Sequence, residues 1–537
     1  MKITNHMKKT IFTLMAILLC STASARNNPQ VGTREGIVEG LYESGISIFK
    51  GIPFAAPPVG QLRWKAPQPA AHWAGVRQAM EFGPNPMQEP VFGDMNFGTR
   101  KVSEDCLYLN IWTPAKTFQE KLPVIIYFNG GGLIAGSGSE PRYDGMSMAR
   151  KGIVAITANY REGIFGFFAH PQLSRETTYK GSGDYGFLDQ VAAIRWVKDN
   201  IAAFGGDPDH ITIAGESAGS MSVSILMASP LAKGLFQQAI GSSGSVMGFH
   251  QLPTLKQAER AGMESAKKMG FKNIRDLRAL SAEKLMKLSD TIGRFTYNID
   301  NYFIPEQPVD IFTRGGQAQV PLLIGGNSLE SALPDQESTV VHLKQMAQAV
   351  YGSHADEVLG LYGITTDAEA KGMPGHNFTG DLFIAFSTWK WGNMQAQTCK
   401  QPVYRYLYAH PRPVMRISGK IAGLAGGVID AGSQTSQPRA KGAVHSADIE
   451  YAMGNLPTNR VYDWQPDDYM VSDIFENYYA NFIKTGNPNG LGLPEWTPVN
   501  DKEVPPVLLI DTNTCMKTDP AMENRYQDLD RIIWGHQ

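Results

Sequence analysis

The sequence predicts an α/β protein built on a central, mostly parallel sheet flanked by helices, with long insertions between its elements. Three observations carry this. Leu122–Phe128 and Gly152–Ala158 are continuous apolar runs of strand length, without the alternation of a half-exposed strand. Between Leu188 and Phe204 the apolar residues recur near helical spacing, and Gly205-Gly206 stops the pattern. A short strand, Ile211–Ala214, then leads into a helix of small and apolar residues over 218–228. Strand and helix in that alternation is the mark of a doubly wound sheet.

Taken in chain order, residues 1–25 read as a secretory signal peptide. Lys2, Lys8 and Lys9 form a positive start, Ile11–Leu19 is a short apolar run, and Ala23-Ser24-Ala25 is a small-residue cleavage site. A lipoprotein signal through Cys20 is the weaker alternative, because Leu19 stands where a small residue is wanted. Export to the periplasm or medium is therefore expected. Residues 35–60 are short apolar runs and turns. After the central block, helices are expected near 255–269, 280–289 and 339–350, strands near Pro321–Ile324, Val403–Tyr408 and Pro506–Ile510, and a helix over Met470–Thr485 closed by Gly486. No repeat, linker or domain boundary is visible, so residues 26–537 are read as one catalytic domain.

Composition removes several function classes. The chain has 537 residues, of which 42% are hydrophobic and 19% charged, an ordinary globular balance. With 49 basic and 51 acidic residues, no charge excess points to nucleic acid or to stable membrane attachment. Removing Lys2, Lys8 and Lys9 leaves 46 basic residues against 51 acidic ones, a net of −5. Four cysteines are too few for a disulfide framework or a zinc cluster. No H-E-x-x-H, P-loop or dinucleotide fingerprint is present, so neither metal nor organic cofactor is expected.

The sharpest local signal is Gly215-Glu216-Ser217-Ala218-Gly219. Standing between a predicted strand and a predicted helix, it has the form of a sharp turn that exposes a serine hydroxyl. A second signal is Asn129-Gly130-Gly131-Gly132, directly after the strand 122–128. Backbone amides of Gly131, Gly132 and Ala218 are candidates for an oxyanion hole. A nucleophilic serine needs a base and an orienting carboxylate. The histidines beyond Ser217 are 250, 342, 354, 376, 410, 445 and 536. His445 lies in a loop-like stretch, whereas His410 before Pro411 reads as a surface turn. Glu330 follows a strand's C-terminal end, where parallel sheets build their sites, with Asp335 and Glu337 as rivals. Leu133, after the glycine run, is placed either on the pocket wall or in the core.

Together these residues resemble the type-B carboxylesterase family, which includes cholinesterases, mammalian carboxylesterases and bacterial para-nitrobenzyl esterases. Phe49–Ala55, Pro57–Gly60, Glu104–Ile111, Asn159–Arg161, Asp189-Gln190, Phe204–Pro208, the serine motif, and Thr485–Gly490 with Trp496 match its blocks in order. The match spans roughly residues 35 to 535. The resemblance implies an α/β-hydrolase fold and a serine esterase that acts on small-molecule carboxylic esters through an acyl-enzyme. It implies a triad on Ser217, Glu330 and His445 and oxyanion donors on Gly131, Gly132 and Ala218. Asn129 departs from the family's usual His or Tyr, and Leu329-Glu330-Ser331 departs from its usual Asp-Glu-Gly. The family's first disulfide is lost, since the partner position of Cys106 holds Pro86. The family's outer strands also suggest that 403–408 and 506–510 are antiparallel neighbours. In that register Cys399 faces Cys515, and the two are expected to bridge. A binding protein without catalysis, or an enzyme using the same oxyanion hole for another reaction such as acyl transfer or elimination, are the competing readings; the complete set of triad residue types weighs against the first.

Overall fold

The computed structural model describes residues 28–535 apart from 93–94, 332, 335, 418, 424–426, 431–439, 501 and 503. The expected signal peptide, Cys20, Asp335 and His536 lie outside the described residues. Eleven strands form one large sheet. In chain order they are β1 (Leu41–Glu43), β2 (Ile46–Pro53), β3 (Tyr108–Thr113), β4 (Leu122–Phe128), β5 (Val154–Ala158), β6 (Gly206–Glu216), β7 (Gln238–Ser242), β8 (Leu322–Asn327), β9 (Val403–Tyr408), β10 (Val507–Ile510) and β11 (Cys515–Lys517). Across the sheet they run β11-β10-β9-β8-β7-β6-β4-β5-β3-β2-β1. The block from β10 through β5 is parallel, and both edges are antiparallel.

Both faces of this sheet are covered, which explains the unbroken apolar runs. In β4, Val124, Ile126 and Phe128 belong to one core layer, and Ile125 and Tyr127 to the layer on the opposite face. Burying each such side chain contributes about 1.5–3 kcal/mol. Helices α1 (Tyr185–Asn200) and α2 (Ala218–Ala228) pack on the first face, and α3 (Phe386–Thr398) lies against β8 and β9. Helix α4 (Pro466–Thr485) covers the second face and ends at Gly486, whose φ of 74° is left-handed. It starts one turn before the expected Met470, because Gln465 and Asp468 cap it. The C-terminal helix α5 (Pro520–Trp534) and strand β7 were not apparent in the sequence. Strand β7 reads Gln-Ala-Ile-Gly-Ser, with few strand-forming residues, and is made a strand by its neighbours β6 and β8.

The expected cysteine bridge is not formed, and the reason is topological. Strands β9 and β10 are parallel, with Tyr406 beside Leu508, rather than antiparallel. Cys399 therefore precedes β9 at one end of the sheet, while Cys515 lies on β11 opposite Leu509. Cys106, Cys399 and Cys515 are all free; the first two are buried and Cys515 is exposed.

Strand order reverses between β4 and β6: β4 leads to β5 on one side, and the chain then crosses to β6 on the other. Loops leaving the carboxyl ends of such a pair diverge and open a crevice. Phe128 of β4 lies beside Gly215 of β6, so the glycine run and the serine turn leave the sheet side by side.

Candidate active site

Ser217 stands between β6 and α2 with φ 57° and ψ −123°, outside the conformations a serine normally takes. Such a residue costs about 1–3 kcal/mol and persists only where its surroundings over-determine it. Here its amide donates to the Ser242 carbonyl at 2.8 Å, and its carbonyl accepts from Met221 N–H at 2.9 Å. The flanking glycines permit the turn by close approach. A Cβ on Gly215 would lie 2.4 Å from the Gly219 carbonyl carbon, and one on Gly219 would lie 2.2 Å from the Phe128 carbonyl oxygen.

The glycine run is held from beneath. Asn129 is fully buried; its amide group donates to the Gly130 carbonyl at 3.0 Å and to Glu162 at 3.3 Å. Tyr160 Oη donates to the Asn129 carbonyl at 2.8 Å. Gly131, at φ 112°, turns its carbonyl to the amides of Ile134 and Ala135. The amides of Gly131, Gly132 and Ala218 donate to no protein group among the described residues. All three residues line the same cavity as Ser217, of about 340 Å³. Leu133 belongs to the core instead, 5% exposed, and the apolar wall is made by Phe92, Met95, Met221, Phe383 and Ile384.

Glu330 and His445 arrive from separate loops that pair with each other. Leu329 and Val444 form an isolated parallel bridge, the Leu329 amide donates to the Ala443 carbonyl at 2.8 Å, and the Ala443 amide donates to Ser328 Oγ at 3.0 Å. This brings His445 Nδ1 to 2.7 Å from Glu330 Oε2, and Nε2 to 3.0 Å from Ser217 Oγ. The other oxygen of Glu330 accepts from Ser243 Oγ at 2.5 Å and the Asn327 amide at 2.6 Å. Asn327 reaches on to Asp448 at 3.1 Å. The loop of His445 is clamped by Arg412, which donates to the Ser446 carbonyl at 3.0 Å and holds Glu450 through two nitrogens, at 2.8 and 2.9 Å.

Glu216 is the neighbour that motif reading passed over. Its Oε1 lies 3.3 Å from His445 Nε2 but lacks hydrogen-bond geometry, so the contact is electrostatic. Burial pushes the Glu216 carboxyl up to about 8, against the pull of His445. Burial works against the His445 cation, but Glu216, Glu330 and Asp448 outweigh it and raise the imidazole to about 9. Phe383 packs edge-on against the His445 ring, with centroids 4.9 Å apart.

The rivals stand elsewhere. Glu337 is exposed on its loop. His410 is not in a surface turn but buried, 2.8 Å from Asp468 and 3.1 Å from Asp511. Sequence could not show Ser243, Asn327 or Asp448 as partners of the site, since none carries a motif of its own. Among the described residues no cluster of His, Cys, Asp and Glu has the arrangement of a metal site, and no helix is long and apolar enough to cross a membrane.

Comparison with known proteins adds to this geometry. The family model described as "Carboxylesterase family" matches residues 27–529. Fumonisin B1 esterase from Sphingopyxis macrogoltabida is 38% identical over 399 residues, covering 70% of each chain. Para-nitrobenzyl esterase from Bacillus subtilis is 32% identical over 522 residues, covering 92% of this chain and 97% of its own. The solved structure of a carboxylesterase from Geobacillus stearothermophilus superposes with a TM-score of 0.76 at 29% identity, covering 92% of this chain and 99% of that one. The large mixed sheet flanked by helices is thus the α/β-hydrolase fold of these esterases.

Proposed function

Since the chain belongs to the carboxylesterase family, we propose that it is an exported serine carboxylesterase in which Ser217, His445 and Glu330 form the triad. Residues 26–537 act as one catalytic domain after cleavage near Ala25. The observation that carries this reading is the hydrogen-bonded line from Ser217 Oγ through both nitrogens of His445 to Glu330, at 3.0 and 2.7 Å.

The chemistry follows from that line. His445 Nε2 accepts the proton of Ser217 as Oγ bonds to the ester carbonyl carbon. Glu330 holds the Nδ1 proton and stabilises the imidazolium. The carbonyl oxygen becomes an oxyanion facing the amides of Gly131, Gly132 and Ala218. Collapse breaks the bond to the alkoxy oxygen, and His445 returns its proton to the departing alcohol. Water then repeats the sequence against the acyl-serine and releases the acid, restoring Ser217.

One relative is named for para-nitrobenzyl esters and another for fumonisin B1. The class of reaction therefore transfers to this chain more securely than any one ester. An organophosphate should add a single covalent mass to wild type and none to Ser217→Ala. Labelling of the variant at the wild-type rate would remove Ser217 from the role. For export, N-terminal sequencing of protein from the cell exterior or periplasm should begin at Arg26.

A further inference from the structure

The cavity holding Ser217 contains more cationic groups than a neutral ester requires. Arg142 and Arg294 both line it. Arg142 also lines a second cavity of about 390 Å³, whose wall includes Asn96, Thr458 and Arg460. The two cavities thus meet across one guanidinium. Arg142 is only 8% exposed. Its Nε is paired with Glu140 at 2.8 Å, yet its Nη1 is buried with no hydrogen-bond partner among the described residues. An unpaired guanidinium N–H is a net cost to the fold, which a group from outside the chain is able to offset. Arg294 stands against the oxyanion loop: its Nη2 lies 3.4 Å from the place of a Gly132 Cβ. Arg294 and Arg460 are exposed and pair with no carboxylate among the described residues.

The described carboxylates on these walls, Glu140 and Glu216, have partners of their own. Glu140 is already engaged by Arg142. Glu216 faces His445, with its Oε1 3.3 Å from the imidazole Nε2. Three guanidinium groups thus line the two cavities that share Arg142, two of them in the cavity that holds Ser217. Planar guanidinium groups match carboxylates through paired hydrogen bonds.

We propose that Arg142 and Arg294 form an anion subsite, so that the enzyme selects esters carrying a free carboxylate, with Arg460 drawing the anion into the outer cavity. This rests on the serine-esterase reading above. The carboxylate belongs either to the acyl half, as in half-esters of dicarboxylic acids, or to the alcohol half, as in acylated hydroxy acids.

The test uses the full mature chain and two pairs of esters, each pair differing only in carboxylate against carboxamide. Monomethyl adipate against methyl adipamate places the charge on the acyl side, and 3-acetoxypropionate against 3-acetoxypropionamide places it on the alcohol side. In wild type, kcat/KM for the anion should exceed that for its amide by roughly ten- to a hundredfold in one pair, chiefly through KM. The favoured pair identifies the half that carries the charge. Arg294→Gln, at an exposed position, should reduce that ratio severalfold, and Arg142→Lys should reduce it about tenfold. Arg142→Lys keeps a cation for Glu140 and so guards against misfolding. Equal or faster hydrolysis of both amides in wild type overturns the subsite while leaving the esterase intact. A wild-type preference that neither variant alters overturns the assignment to these arginines. Failure to hydrolyse all four esters and p-nitrophenyl acetate as well overturns the esterase reading itself.

Discussion

Ser217 and the glycine run stand on turns shaped by their own backbones, whereas Glu330 and His445 stand on loops that hold each other. On the first side the shaping residues lie within the motifs: Gly215 and Gly219 flank the serine, and Gly131 turns its own loop. On the second side, Leu329 meets Val444, Ser243 reaches Glu330 from just past the end of β7, and Arg412 clamps the carbonyl next to His445. The difference teaches that one catalytic line can rest half on local conformational constraint and half on long-range assembly. The first half is sensitive to single atoms near the turn. The second is graded, because several contacts share the task.

Ser217→Ala should break the line at its locally built end. We expect kcat to fall ~10⁴- to 10⁶-fold, with the circular dichroism of the fold retained. Turnover within tenfold of wild type would show that this end does no chemistry.

Glu330→Gln tests the assembled end. It keeps shape but removes the charge that orients His445, so kcat should fall about 10³- to 10⁴-fold with KM little changed. A loss below tenfold would mean that another carboxylate, Asp448 or Glu216, takes over.

Ser243→Ala removes only one of the two bonds to Glu330 Oε1. Sharing of the load predicts a fall in kcat of roughly tenfold, the order of one charge-assisted hydrogen bond. A loss as large as that of Glu330→Gln would erase the contrast between graded and all-or-none sides.

Least in magnitude is a change in pH dependence. His445 must be neutral to accept the serine proton, and neighbouring carboxylates raise it to about 9. At pH 7 the imidazolium is therefore favoured, and kcat/KM should climb as pH rises through the alkaline range. Glu216→Gln removes one of those carboxylates and should move the rising limb to lower pH. A wild-type limb at or below the ordinary histidine value near 6.5 would contradict this picture.

The same contrast governs how much of the molecule was legible in its sequence. Strands β4 and β9 and helix α2 have the bounds their patterns predict, since each is either an unbroken apolar run or is bracketed by turn residues. Ser217 and the glycine run were visible because backbone constraint is written locally, as glycine. Glu330 and His445 could be named only by chain order and family likeness, and what joins them, Leu329 to Val444, is an unremarkable pair of apolar residues. Strand β7 was hidden because its neighbours, not its composition, make it a strand. The error over β9 and β10 has the same origin: strand direction is decided by the path of the intervening chain, here through α4, and not by the residues of either strand.

The free cysteines that follow from that parallel pairing leave the enzyme with a ready chemical handle. Cys515 is the exposed thiol of the three, on the last strand of the sheet, five strand spacings from β6. At ~4.8 Å per spacing that is roughly 24 Å from the strand that carries the serine. A maleimide-bearing support should therefore capture the protein through one defined point, set laterally well away from the serine, with its turnover retained.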